Sequence, residues 1–87
     1  MKNMSVHIAI SEHVNKQNQK INRFLLLDQQ RELYIEEALS LCKQGKEFTT
    51  DKINEMTNQI NNLAKQGIIP FRKLVTKEMV KEYALRS

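Results

Sequence analysis

The sequence predicts an all-α domain, a small helical bundle with a long N-terminal helix followed by two shorter ones. Three observations carry that prediction. No glycine or proline stands before Gly45, so nothing punctuates the first half of the chain. Apolar residues recur at three- and four-residue spacing through most of it. The stretch LCKQG, Leu41 to Gly45, returns as LAKQG, Leu63 to Gly67, and both have the form of a helix end, with a glycine just past the C-cap and a lysine beside the negative end of the helix dipole. The 22-residue interval between the copies is too short for a repeated helical pair, which needs more than about 30 residues. The repeat is punctuation and not a duplicated module.

The first element is expected over about 5–44. Its heptad-like positions run Ile10, Val14, Gln17, Ile21, Phe24, Asp28, Arg31, Ile35, Ala38 and Cys42. Before Leu26 this seam is narrow; after it Leu27, Leu33, Tyr34, Leu39 and Leu41 widen the apolar surface, as on a helix flanked on two sides. One helix of about 40 residues measures about 60 Å, whereas a compact domain of this size has a radius of gyration of about 12 Å. Two solutions present themselves: a break near Leu27 and Asp28, with Asp28 capping a second helix, or one unbroken helix whose seam is covered by another subunit. The run FLLLDQQREL offers no residue that forces a break. The unbroken helix and a homodimer are therefore preferred, with Ile10, Val14, Gln17, Ile21 and Phe24 as candidate dimer seam. Asp28 and Arg31 read as solvated surface positions ahead of a pair within the seam.

The second helix is expected over about 50–66. Phe48 and Ile53 bracket Thr49 as a hydrophobic staple brackets a threonine N-cap, and Ile53, Met56, Thr57, Ile60, Leu63 and Ala64 form its apolar stripe. Of the two stops Gly67 is the better specified, because Leu63 and Ile68 occupy the paired positions of a Schellman ending. The segment Ile68 to Val75 has Pro70 to hold Ile69 extended, and its apolar residues, Phe71 included, place it across the core. The last helix, about 77–85, opens on Thr76 between Val75 and Val80 and carries Met79, Val80, Tyr83 and Ala84 on one side. It is too short to stand alone.

Length and composition limit what the chain can do. With 87 residues, 40% of them hydrophobic and 28% charged, it is one ordered domain, able to bury about 60% of its unfolded surface. A lone cysteine, Cys42, cannot form an internal disulfide. The absence of a long apolar run, of a leader and of a prenylation ending leads to the expectation of a cytoplasmic protein off the membrane. The formal charge of +4 is unevenly spread: +3 over Met1 to Arg23, −3 over Asp28 to Glu37, +4 over Lys65 to Ser87. Such blocks suit the packing of one segment or subunit on another.

Chemistry is hard to find. His7 and His13 are six positions apart and do not share a helix face as metal ligands at four-residue spacing do. Cys42 lies on an apolar face without an activating neighbour in the pattern, and the adjacent Glu36 and Glu37 diverge. No phosphate loop, dinucleotide fingerprint or nucleophile elbow occurs. An enzyme, a metal and a cofactor are not expected. Nucleic-acid binding is the stronger rival to protein contact: the calculated pI is about 9.4, and Arg72, Lys73, Lys77 and Lys81 are the candidate anion or nucleic-acid contacts. A helix-turn-helix has a turn of three or four residues, however, and the nine residues Gly67 to Val75 do not fit it.

The wording SVHIAISEH, RELYIEEALSLCKQGKEF and DKINEMTNQINNLAKQGIIPFRKLVTKEMVKEY resembles the YpbS-like family of small uncharacterised proteins from Bacillus-type bacteria, over about Ser5 to Tyr83. The resemblance implies a cytoplasmic bacterial protein without an assigned activity, and it brings no functional residues to carry over.

Overall fold

The computed structural model of the chain describes residues 4–86, with side chains described for residues 18–86. Three helices make up its regular structure: α1, Met4–Lys43; α2, Asp51–Ala64; and α3, Lys77–Arg86. The molecule measures 64 × 22 × 20 Å, with a radius of gyration of 18.3 Å. That elongation comes from α1, whose 40 residues run without a break. The alternative of two helices meeting near Leu27 and Asp28 is thus corrected. Asp28 caps nothing, and its carboxylate is taken by Arg72.

Both short helices pack on α1, and among the described side chains Phe24 is the first apolar residue of α1 to join a core cluster. Phe24 and Leu27 of α1 join Ile60, Leu63, Ala64 and Ile69 in one cluster; Tyr34, Ile35, Ala38, Leu39, Leu41 and Cys42 join Phe48, Ile53, Val75 and Val80 in another. A polar layer separates the two. Thr57, fully buried between Ile53 and Ile60, donates its hydroxyl to Ile53 O (3.0 Å) and accepts from Arg31 Nε (2.8 Å). Arg31 Nη2 goes on to donate to Lys73 O (2.9 Å). Arg31 and Asp28 are therefore structural groups of the interior margin, not solvated surface, because each finds a partner on another element.

The helix ends follow their glycines, which take φ of +73° at Gly45 and +106° at Gly67. The full Schellman pattern forms at Gly45, where Gly45 N–H donates to Cys42 O and Lys46 N–H to Leu41 O. At Gly67 only the bond from Gly67 N–H to Ala64 O is made among the described residues, which reverses the ranking expected of the two stops. The reason is that Ile69, not Ile68, turns into the core: Ile69 is buried and Ile68 exposed. At the start of α2 the N-cap is Thr50, without a side-chain cap bond; Thr49 Oγ1 accepts from Asp51 N–H (3.1 Å), while Phe48 and Ile53 share the same cluster. At α3 Thr76 Oγ1 accepts from Met79 N–H (3.2 Å), a cap of the expected kind.

The segment between α2 and α3 is a strap with a period of three. Ile69 and Val75 are buried and Arg72 half-buried, whereas Ile68, Phe71 and Leu74 are 51%, 62% and 54% exposed. Phe71, expected in the core, therefore stands outside it. Two asparagines of α2 hold the strap by its backbone. Asn61 donates to Arg72 O (3.0 Å) and accepts from Arg72 N–H (2.8 Å); Asn54 does the same with Val75, at 2.9 and 2.7 Å. The spacings match: seven helical residues advance about 10.5 Å, and three residues of extended or polyproline-like chain advance about 9–10 Å. Each carboxamide thus replaces a strand partner for one residue, satisfying backbone groups that burial would otherwise leave unpaired.

Candidate functional site

Four surfaces carry the residues singled out by the sequence. The first is the part of α1 ahead of its packed half. Of the seam positions, Ile10, Val14 and Gln17 lie among residues whose side chains are outside the description. Ile21 is 40% exposed. Phe24 is half-buried against Ile60, Ala64 and Ile69, with the Arg72 guanidinium 5.4 Å from its ring centroid. Phe24 is thus engaged within its own chain, and the uncovered apolar surface begins with Ile21 and Leu25, the latter 55% exposed. His7 and His13 also lie outside the described side chains.

The second surface is basic, and the four candidate cations do not share it. Arg72 pairs in bidentate fashion with Asp28, Nε to Oδ1 at 3.1 Å and Nη2 to Oδ2 at 3.3 Å, so its charge is answered inside the fold. Lys73 is exposed, and its carbonyl is held by Arg31. Lys77 and Lys81, one helical turn apart on α3, line an open depression of about 610 Å³ with Gly45, Lys46, Glu47, Phe48 and Thr49. Lys46 thus joins Lys77 and Lys81 where the sequence pattern had offered Arg72. No spacing rule brings a residue of the first loop to α3.

Third is an apolar groove of about 440 Å³ between α1 and α3. Ile35, Leu39, Val75 and Val80 form its base, Met79 and Tyr83 one wall, and Glu32 and Glu36 the opposite rim. Fourth is the outward ridge Ile68, Phe71 and Leu74 of the strap. Neither was legible from helical periodicity alone, since one is a gap between elements and the other follows a period of three.

Cys42 is half-buried against the cluster around Ala38 and Ile53. Among the described residues no group of three or more His, Cys, Asp or Glu side chains is placed to hold a metal ion, and no helix is long and apolar enough to cross a membrane. Among them, too, every buried side-chain nitrogen or oxygen has a hydrogen-bond partner.

Comparison with known proteins agrees with the resemblance read in the sequence. Uncharacterized protein YpbS of Bacillus subtilis (strain 168) is 54% identical over 81 residues, spanning 93% of this chain and 95% of that protein. No solved structure matches. The family model described as "Protein of unknown function (DUF2533)" matches residues 4–86, and the chain belongs to that family.

Proposed function

We propose that this chain is a non-enzymatic cytoplasmic protein that works by protein–protein contact as a homodimer, with the N-terminal part of α1 as its contact surface. The observation that supports this reading is the mismatch between α1 and what packs on it. Among the described side chains of this 40-residue helix, those that join a core cluster run from Phe24 onward, and its apolar seam continues in the sequence toward the N-terminus through Ile21, Val14 and Ile10. A helix with one apolar stripe is stable when that stripe is buried, and a two-fold partner covers a narrow seam with one self-complementary contact.

Light scattering across a range of concentrations tests it. The expected mass is near twice 10.2 kDa, falling toward 10.2 kDa in Val14→Asp or Ile21→Asp while circular dichroism reports that α2 and α3 stay folded. A wild-type mass of 10.2 kDa at every concentration overturns the reading.

The rival, nucleic-acid binding through Arg72, Lys73, Lys77 and Lys81, is less well supported, because Arg72 is bound to Asp28. Its signature is salt-sensitive retention of DNA or RNA; lack of retention at low salt removes it.

A further inference from the structure

We propose that the groove between α1 and α3 is the seat of a second copy's N-terminal α1 segment, each segment lying antiparallel in the other protomer's groove. The proposal rests on the homodimer reading and adds where the contact is made and in which orientation.

Helical phase is the first support. Val14, Ile21, Asp28 and Ile35 fall on one seven-residue series, whose third member is held by Arg72, and Leu25, Glu32 and Leu39 fall on another beside it. Positions seven apart lie within about 20° of one another around a helix. The seam ahead of Phe24 and the α1 side of the groove are therefore the same face of the same helix, joined by the exposed Ile21 and Leu25. A two-fold contact must use one self-complementary patch. A stripe that drifts by only about 60° over the three heptads from Val14 to Ile35 meets that condition when two such helices run antiparallel, so that the segment ahead of Phe24 in one copy covers the groove in the other.

Charge fixes the orientation. Met1 to Arg23 carries +3 and Asp28 to Glu37 carries −3. Parallel, in-register helices would set like block against like, whereas the antiparallel arrangement sets opposite blocks together. Asp28 is answered by Arg72 within its own chain, but Glu32 and Glu36 stand exposed on the groove rim. The lengths also agree: Met4 to Arg23 spans about 30 Å of helix, more than the stretch from Glu32 to Leu39 that borders the groove. Both grooves are filled at once, leaving no open end for further copies.

The experiment uses the full chain with the photo-cross-linker p-benzoylphenylalanine in place of Glu36, an exposed rim residue. Unlabelled and nitrogen-15-labelled protein are mixed at a concentration where the mass is that of the dimer. Adducts between the two chains that map to residues 4–23 are the expected result. Adducts that map elsewhere, or none between chains, overturn the groove assignment and leave the homodimer reading standing; a monomeric mass throughout overturns both. Met79→Glu, on a groove wall residue that is 44% exposed, is the second probe. With helical circular dichroism unchanged, it is expected to raise the dimer dissociation constant about tenfold, and an unaltered constant overturns the proposal.

Discussion

Asp28 and Arg72, 44 positions apart, close a bidentate pair with Nε–Oδ1 at 3.1 Å and Nη2–Oδ2 at 3.3 Å. With the bond from Arg31 Nη2 to Lys73 O it ties α1 to the strap, and the guanidinium also covers the Phe24 ring. The two side chains are 23% and 35% exposed, so the pair lies between a surface ion pair and a buried one. Arg72→Ala is expected to cost about 1–2 kcal/mol in urea denaturation. Arg72→Lys recovers only part of that loss, because an ammonium cannot reproduce the planar fork.

Asn54 and Asn61 each satisfy both backbone groups of one strap residue. Replacing either with alanine leaves a part-buried N–H and C=O without partners, at a cost of about 1–3 kcal/mol. Amide hydrogen exchange separates the two: Asn54→Ala is expected to speed exchange at Val75 first, and Asn61→Ala at Arg72. Equal acceleration at both sites in each variant would show that the strap lets go as a unit.

Thr57 is the acceptor for Arg31 at the centre of the polar layer. Thr57→Val keeps the shape and removes the hydroxyl, leaving Arg31 Nε without its partner; the expected loss is about 1–3 kcal/mol. Thr57→Ser retains the hydrogen bonds and loses one methyl group, about 1 kcal/mol. Denaturation midpoints of the two variants order them, and a valine variant as stable as the serine variant would contradict a role for the hydroxyl.

Gly45 and Gly67 both have open space where a Cβ would stand, so alanine there tests backbone conformation alone. At φ +73° Gly45 lies near the left-handed helical region, and Gly45→Ala is expected to cost about 1 kcal/mol. Gly67, at φ +106°, lies outside the region that L-residues share, and Gly67→Ala is expected to cost more, about 2–3 kcal/mol. Thermal melts of the pair measure the difference.

The helices were legible because their signals are local. Apolar periodicity, two glycines and the Thr76 cap are read within a few residues of where they act, whereas at α2 the N-cap is Thr50 and not the expected Thr49. What escaped was made by pairs far apart. Thr57 reads in sequence as one more member of an apolar stripe, whereas its hydroxyl is a long-range acceptor for Arg31, 26 positions away. Asn54 and Asn61 fall outside the apolar stripe of α2 and carry no signal in the sequence, and their task appears only against Val75 and Arg72. Hydrophobicity alone points Phe71 inward, yet the strap's period of three puts it outside with Ile68 and Leu74. Among the candidate cations, Arg72 was grouped by its neighbours in sequence, whereas Asp28 decided its environment.

The strap's period of three sets a rule for how this chain can change length. Deleting one residue between Ile69 and Val75 would turn everything beyond the cut by about 120° in a three-residue-per-turn chain. Lys73 and Thr76 would then take the inward places of Arg72 and Val75, and the Val75 backbone groups that Asn54 grips would be carried away from it. Insertions and deletions here are expected to keep the register only in threes, each triplet matched by two turns of α2 bearing a further asparagine. The connection between α2 and α3, which in most domains is where length varies most freely, is in this one a measured part.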